Sequence, residues 1–357
     1  MVVAAVILQG IDRGGMGLTG QRSGVAFFRL FHWLWRVFMG MYIFRRLLGL
    51  IPMLFLITVA VFLMMHAAPG NAFDAILNPG IKDMAALQQR LIESAGLNKP
   101  LWWQYVHWLT QFVQGNWGYS FTQHQLVIRL IGPALENTLL LAVMAEMMTL
   151  SMGIPVGILQ ARNPYGKFDY GVSIISFVLF SVPYFILAIF LIYFFAIDLK
   201  FFPAQGAVGT GPGAGSFLDH VYHAFLPALA MALVGTTVYS RYTRGTMLDV
   251  RHEDYVRTAF AKGLSGSLVF RKHVLRNAMI PIVTQFGYDI GGMVGGTVIL
   301  EGLFSYQGMG LLTINAVNDR DYPVLMATSL LFAVGVLFGN LVADILYAVV
   351  DPRIRYN

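Results

Sequence analysis

Six long apolar runs constrain the fold of this chain more than any other feature, because a helix needs roughly 20 apolar residues to cross a bilayer. Only 12% of the 357 residues are charged and 57% are hydrophobic, whereas a soluble domain carries about 25% charged residues. We therefore predict an all-α integral membrane protein with six transmembrane helices. The runs lie at about Ile43–His66, Glu136–Leu159, Tyr170–Ile197, Ala224–Ser240, Ile280–Leu300 and Val324–Val350.

Several functional classes are disfavoured by what the sequence lacks. It has no cysteine, which excludes disulfides and thiolate metal sites. It has no Walker A motif, so we expect no ATP binding by that route. His220 and His223 have helical spacing for a metal pair, but a solvated interfacial pair is favoured. The net charge of +6 comes from basic residues beside the apolar runs, so we expect no nucleic-acid partner. We predict no catalytic residue, metal or cofactor in this chain.

The distribution of Lys and Arg predicts the orientation in the bilayer, because cytoplasmic loops carry an excess of these residues. Of the 24 Lys and Arg, fourteen fall on one side of the predicted spans, six on the other and four in the N-terminal extension. We predict a multi-pass membrane protein with both termini in the cytoplasm.

The runs divide the chain into five parts. Within the first part, Phe27–Met41 interleaves aromatic and basic residues, so it could lie in the interface as an amphipathic helix. The alternatives are that it has no specific role or that translation starts at Met39 or Met41. The parts are an extension over 1–41, a first transmembrane helix over 42–66, an extracytoplasmic segment over 67–133, a five-helix transmembrane core over 134–350 and a cytoplasmic tail over 351–357.

Two outer segments contain recognisable patterns. The segment after the first span contains helical patterns at Asp83–Ala95 and Leu101–Gln114. The second is rich in Trp, which is enriched at membrane interfaces, so we expect it to rest against the outer leaflet or the mouth of the protein. The loop Asp198–His223 is rich in Gly but lacks Gly-Lys-Ser/Thr, so it is predicted to be a flexible linker and not a phosphate-binding loop.

Acidic residues inside apolar runs are costly and suggest a function. Glu146 and Asp289 lie deep in their runs. We expect them to line a polar pathway or to accept hydrogen bonds between helices, with a proton relay as the alternative. Glu136 and Glu301 lie at the outer ends of runs, where we expect water to reach them, and Glu301 is a further candidate for the pathway or for helix packing.

Small residues are dense in the fifth run. Gly287, Gly291 and Gly295 form two successive Gly-x-x-x-Gly spacings, which allow helix backbones to approach closely. The partner helix could belong to this chain or to a second subunit.

The segment Glu253–Thr284 covers most of a predicted cytoplasmic coupling loop over 241–280 and reaches into the start of the fifth run. Asp254 to Lys262 is a helical pattern with an acid first and a base last, as the helix dipole favours, and Gly263 is placed to end it. Ser265-Gly266-Ser267 predicts a turn and a new N-cap, a second helix begins at Leu268, and Pro281 marks the start of the next span. Two short helices could bind a groove on another protein; the alternative is an amphipathic hairpin on the anionic leaflet.

At these residues the chain resembles the inner-membrane permease subunits of ATP-binding-cassette importers, and more narrowly the first permease of the dipeptide/oligopeptide family. Phe260 departs from the pattern, where Arg is often expected, and Arg257 replaces an acid of the general motif. Matching stretches such as Arg45–Leu48, Glu301–Gly310 and Asp351–Arg355 extend the resemblance from about residue 42 to 356. The loop residues that carry the resemblance are Asp254, Tyr255, Arg257, Thr258, Ala259, Lys262, Gly263, Leu264, His273, Arg276, Asn277 and Pro281.

The resemblance implies a type I importer permease fold and a set of partners. These are a second homologous permease, two subunits that bind ATP and Mg, and an extracytoplasmic substrate-binding protein. The loop residues would couple ATP hydrolysis in the partners to alternating access in the spans. The implied substrates are di- and oligopeptides, with nickel chelates, glutathione or oligosaccharides as alternatives within the family. A proton-coupled secondary transporter using Glu146 or Asp289 is the remote alternative. We expect Gly263→Pro or Ala259→Asp to uncouple the ATPases and leave the spans folded.

Overall fold

The computed structural model describes residues 22–67, 89, 93 and 96–350. At 22–44, 293–296 and 346–350 it describes the backbone but not the side chains. Predictions for 1–21, for 68–88, for most of Asp83–Ala95 and for 351–357 therefore lie outside the described residues.

The described chain is built from helices joined by short turns. In chain order they are α1 Arg22–Ala67, α2 Leu101–Val113, α3 Val127–Arg162, α4 Lys167–Ser181, α5 Tyr184–Leu191 with a π-helical continuation Ile192–Asp198, α6 Phe217–Arg251, α7 Asp254–Ala261, α8 Gly266–Val269 with a π-helical continuation Phe270–Leu275, α9 Arg276–Gly296, α10 Val298–Leu303, α11 Met309–Asn318 and α12 Tyr322–Val350.

The chain divides into two units, one ending at Ile51 and one beginning at Pro52. In the first unit the backbone is already helical from Arg22, within the predicted extension. The bilayer location of that extension stays a prediction. Apart from the start of the span Arg45–Ala67, the features described below belong to the second unit.

Among the described residues, four helical stretches are long and apolar enough to cross a membrane: Arg45–Ala67, α3, α6 and Tyr322–Ile345. The predicted third run is a broken pair, because α4 and the α5 helix with its continuation meet at an angle of 99°. The bend falls at Val182-Pro183, between Ser181 and Tyr184, as expected where a proline removes a helical hydrogen bond. The predicted fifth run is interrupted as well, since α9 ends at Gly296 and α10 begins at Val298. The count of six spans stays a prediction.

Glycines let α3 and α6 pack closely. A Cβ added at Gly157 would lie 2.5 Å from the Ser240 carbonyl oxygen, and one at Gly153 would lie 2.7 Å from the Tyr239 Cβ. Gly235 of α6 lies equally close to the Thr149 side chain of α3. Contact distances this short leave no room for a side chain, so these small residues fix the spacing of the central helix pair.

The predicted glycine stripe of the fifth run faces α12 of the same chain. A Cβ at Gly287 would lie 2.8 Å from the Ala343 Cα, and one at Gly291 would lie 2.6 Å from the Asn340 Oδ1. Gly295 is helical, but its surroundings are outside the description.

Hydrogen bonds anchor the Gly-rich outer loop, whereas the sequence predicted a flexible linker. The carboxylate of Asp219, in the first turn of α6, accepts hydrogen bonds from the backbone N–H groups of Gly209 and Gly215, both at 2.9 Å. The Ala207 N–H donates to the Gln307 side chain at 2.6 Å. A glycine count alone does not show such side-chain anchors.

Candidate functional site

The helix α7 begins and ends as short-range signals predict, one residue short of the expected Lys262. Asp254 lies in its first turn, where a carboxylate favours the helix dipole. At the other end, Gly263 has φ +79, and its N–H donates to the Phe260 carbonyl at 2.9 Å while the Leu264 N–H donates to the Ala259 carbonyl at 3.3 Å. This pair of bonds is a Schellman motif, whose left-handed residue is most often glycine.

One face of α7 is packed against the rest of the protein. Val256 and Ala259 are buried in an apolar cluster that also contains Met247 of α6 and Ala161 of α3. Ala259 is only 5% exposed, so the Ala259→Asp test does not probe docking alone. It would place a carboxylate in an apolar cluster and disturb the seat of α7 on the spans.

The second helix of the segment begins at Gly266 and continues into α9 without a break. The residues Phe270–Leu275 form a π-helical turn between α8 and α9. Pro281 therefore lies inside α9, and its position at the start of the membrane span stays a prediction. The segment from Gly266 to Gly296 is one continuous helix, which joins the exposed end of the segment directly to α9.

The opposite face of the segment carries aromatic side chains and positive charge. Phe260 is 51% exposed, and Tyr255 and Leu268 are also exposed. Between residues 249 and 276 the chain has six Lys and Arg against three acids. Arg257 and Asp254 approach to 3.7 Å but are largely exposed, so that ion pair contributes little.

The predicted coupling residues therefore divide between two environments. The exposed ones are Asp254, Tyr255, Arg257, Thr258, Lys262, Gly263 and Arg276. The half-buried ones are Leu264, His273, Asn277 and Pro281, and Ala259 is buried. The structure thus brings seven of them to a surface and places the rest between that surface and the spans.

A buried ion pair joins the helices beneath this segment, and it was missed from the sequence. Arg244 of α6 donates from Nε and Nη2 to the two carboxylate oxygens of Asp169 of α4, both at 2.7 Å. Gln160 of α3 donates to the same carboxylate at 3.0 Å, and the Tyr165 N–H donates to it at 2.7 Å. A bidentate pair with this many extra hydrogen bonds holds the ends of three helices together.

The two deep acids are near one another, on different helices. The Tyr239 hydroxyl of α6 donates to Asp289 of α9, and Gln285 donates to the other carboxylate oxygen at 3.0 Å. The Glu146 carboxylate of α3 interacts electrostatically with both Tyr239 and Asp289. Its Oε1 is buried and has no hydrogen-bond partner among the described residues. We call Glu146, Tyr239, Asp289 and Gln285 the central cluster.

Glu301 is fully buried at 0% exposure, so the expectation that water reaches it is wrong for this structure. Its Oε1 accepts hydrogen bonds from the hydroxyls of Thr138 and Thr297, both at 2.7 Å. Its Oε2 accepts from the N–H groups of Gly310 at 2.7 Å and Leu311 at 3.1 Å. The carboxylate thus ties α3 and α10 to the first turn of α11.

A second layer of bonds surrounds this carboxylate. The Met309 N–H donates to the Thr138 hydroxyl at 2.8 Å, and the Asn137 side chain donates to the Gln307 carbonyl at 2.8 Å. The Tyr306 hydroxyl donates to the Asn137 carbonyl at 3.3 Å. Burial, and then the nearby Glu301 carboxylate, raise the pKa of Tyr306, which keeps its hydroxyl a donor. We call Glu301, Thr138, Thr297 and the first turn of α11 the outer knot.

Metal binding has no candidate in the described part of the chain, where no group of three His, Cys, Asp or Glu is arranged to hold an ion. His223 is one of the two histidines that were considered as a metal pair. Its Nδ1 lies 2.9 Å from the Asp219 carbonyl oxygen, so this ring nitrogen already has a partner. A cavity of about 330 Å³ lies between α2 and the adjacent ends of α1 and α12, and its lining includes Trp103, Trp108 and Trp117.

The comparisons with known proteins now define the class of this protein. Residues 153–356 match the binding-protein-dependent transport system inner membrane component family, and residues 39–142 match the N-terminal membrane component of the same systems. The chain belongs to this family of inner-membrane permease components. Glu253–Thr284 falls inside the larger match.

Individual relatives are similar over nearly their whole length. The chain is 42% identical over 319 residues to the oligopeptide transport system permease protein AppB of Bacillus subtilis (strain 168), which covers 89% of this chain and 100% of the relative. It is 38% identical over 321 residues to the glutathione transport system permease protein GsiC of Escherichia coli (strain K12), covering 88% and 99%.

A solved structure confirms the predicted fold. An inward-facing structure of the MetNI methionine ABC transporter aligns with a TM-score of 0.51 and 18% identity, covering 63% of this chain and 97% of the other. At this identity the likeness supports the permease fold and no functional detail.

Proposed function

We propose that this chain is a translocation subunit of an ATP-driven importer that carries di- and oligopeptides across the inner membrane. The observation that supports the substrate class is the match to AppB, a relative named for oligopeptide transport, along that relative's full length. The chain moves its substrate by alternating access and performs no covalent chemistry. A second permease, two ATP-binding subunits and an extracytoplasmic binding protein complete the complex, and both termini lie in the cytoplasm.

Uptake by the reconstituted complex tests the substrate class. The complex is placed in proteoliposomes with ATP inside and the binding protein outside, and labelled di-, tri- and pentapeptides are supplied. We expect uptake that requires ATP and survives a protonophore. Uptake that collapses with the proton gradient and persists without ATP would support the secondary transporter.

Glutathione is the competing substrate, because GsiC is similar over nearly its whole length. Glutathione is itself a small peptide derivative, so the two substrates differ mainly in size and side-chain tolerance. Competition decides between them. Unlabelled oligopeptides should block peptide uptake at concentrations where glutathione does not, and the opposite ranking would assign the complex to glutathione.

The exposed face of the segment docks the ATP-binding subunits. This part of the proposal is supported by the aromatic side chains of Tyr255 and Phe260, which are exposed on a helix whose opposite face is already packed. Exposed aromatic residues surrounded by charge are typical of protein interfaces. The Schellman turn at Gly263 holds α7 and α8 at a fixed angle, so that both helices can enter one groove.

Replacement of Phe260 separates docking from folding. We expect Phe260→Ala to weaken association of the ATP-binding subunits about tenfold or more, the range of an aromatic interface residue. The thermal unfolding of the permease should change little, because Phe260 is half exposed. Ser267→Ala, at an exposed position on α8, is the matched control. A Phe260→Ala complex that purifies intact with normal peptide-stimulated ATPase activity would contradict the docking role.

A further inference from the structure

The helix α2 has two different faces. It contains no Lys, Arg, Asp or Glu among its residues LWWQYVHWLTQFV. Tyr105 and Trp108 pack against the apolar cluster of Phe62, Met65 and Met326. The other face is exposed in the described part of the chain. Its apolar side chains are Trp102 at 68% exposure, Val106 at 55% and Val113 at 78%.

The contacts of α2 with α1 establish its depth. The Tyr105 hydroxyl is hydrogen-bonded to the Thr58 hydroxyl at 2.8 Å, and Gln104 Oε1 lies 3.0 Å from His66 Nε2. Thr58 is nine residues before Ala67, the end of the span Arg45–Ala67, which corresponds to about 14 Å along a helix axis. The axis of α2 therefore lies beside the last turns of the span and not beyond its end.

The contacts of α2 with α12 indicate the same depth for α2. Trp108 lines one small void together with Thr58, Met326 and Leu330. Leu330 is eight residues inside the start of α12 at Tyr322, or about 12 Å along the axis. Two separate spans thus place α2 at the level where their apolar residues begin.

The surface of α1 beside α2 is apolar, as lipid contact requires. At the same level, α1 exposes apolar side chains and carries no charge. A water-facing surface of this composition is rare in proteins, whereas a helix with Trp and aliphatic residues on one face is typical of the membrane interface. The exposed residues of α1 at this level are Phe55, Leu56, Leu63 and Met64.

We propose that α2 is an interfacial helix whose exposed face, formed by Trp102, Val106 and Val113, is embedded in lipid at the Ala67 end of the first span. In the proposed topology this is the outer leaflet. The helix then closes the cavity beneath it from the membrane side, and it holds the outer ends of α1 and α12 at a fixed depth.

Spin labelling tests this placement, and the chain has no native cysteine to compete. Trp102→Cys, Val106→Cys and Val113→Cys are labelled one at a time with a nitroxide, and the complete complex is reconstituted in liposomes. Collision with oxygen, which concentrates in lipid, is compared with collision with a water-soluble nickel chelate. Peptide-dependent ATPase activity checks that each labelled complex remains intact.

Two labelled positions calibrate the measurement. Phe177→Cys on α4 is 74% exposed and stands for lipid, while Gly211→Cys in the outer loop has nothing within 4 Å of its added Cβ and stands for water. We expect the α2 labels to favour oxygen over nickel several-fold, as Phe177→Cys does. Nickel access equal to that of Gly211→Cys would overturn the proposal in favour of a water-facing helix. Low access to both reagents at all three positions would overturn it in favour of a protein partner.

Discussion

The outer knot and the central cluster both place carboxylates among packed helices, but the carboxylates of the two sites accept different numbers of hydrogen bonds. In the outer knot, Glu301 receives four donors and is fully buried. In the central cluster, Asp289 has donors from Tyr239 and Gln285, whereas Glu146 keeps a buried oxygen with no partner among the described residues.

This difference indicates different roles for the two sites. A carboxylate with all its hydrogen bonds made is costly to disturb, because each donor left behind in a buried site loses its partner. A carboxylate with an unmatched oxygen has something to gain from another arrangement of the same helices. We therefore interpret the outer knot as a fixed point of the permease and the central cluster as the place where α3, α6 and α9 exchange partners between states.

Removal of Glu301 should have the largest effect. Glu301→Ala leaves the Gly310 and Leu311 N–H groups without an acceptor, so we expect a loss of roughly 4 kcal/mol in the free energy of unfolding. SDS titration in mixed micelles measures it. Glu301→Gln keeps one carbonyl acceptor and should lose about half as much. If Glu301→Ala unfolds at the same SDS fraction as the wild type, the knot is not a fixed point.

A side chain added at Gly310 should weaken the outer knot by a smaller amount, because it would crowd the neighbouring helix. A Cβ at Gly310 would lie 2.6 Å from the Val298 Cα and 2.9 Å from the Glu301 Oε2. Because the first neighbour is backbone, Gly310→Ala should cost about 2 kcal/mol. The matched control is Gly292→Ala, where nothing lies within 4 Å. If the two variants unfolded at the same SDS fraction, α10 and α11 would separate easily, and the outer knot would not be a fixed point.

The bridging hydroxyl of the central cluster should matter less. Tyr239→Phe removes the donor to Asp289 and leaves the Gln285 bond in place, so we expect a loss of about 1 kcal/mol in unfolding free energy. Peptide uptake should fall more than stability does. A loss as large as that of Glu301→Ala would erase the distinction between the two sites.

Glu146→Gln should have the smallest effect on stability and a clear effect on transport. Its Oε1 makes no hydrogen bond here, so removal of the charge should leave the unfolding free energy within about 1 kcal/mol of the wild type or raise it. We expect ATP-dependent peptide uptake to fall several-fold, because the carboxylate takes a partner in another state. If the Glu146→Gln complex took up peptide at the wild-type rate, the Oε1 of Glu146 would have no role in transport.

Local signals predicted local structure well. The acid at Asp254 and the glycine at Gly263 bracket α7 because capping depends on neighbours in sequence. Pro281 lies inside a helix and not at the first turn of one, because the π-helical turn before it joins α8 to α9. Proline is a strong local signal, yet the surrounding helix determines whether it starts or interrupts an element.

Pairings distant in sequence were not predictable. Asp169 and Arg244 are 75 residues apart, and nothing in either local pattern indicates the other. Glu301 was expected to meet water because it ends an apolar run, but the Gly308–Gly310 turn folds α11 back over it. The glycine stripe of α9 predicted close packing, while its partner in α12 became evident only from the structure.

The continuous helix from Gly266 to Gly296 can transmit movement along its length. Its surface end carries Leu268, and Asp289 lies 23 residues further on than Gly266, or about 35 Å along the axis. A sideways force on α8 becomes a tilt at Asp289, and bending concentrates at the π-helical turn and at Pro281, where regular hydrogen bonding is interrupted. In the proposed complex, the stiffness of those two joints would set how much of the movement of an ATP-binding subunit reaches the central cluster.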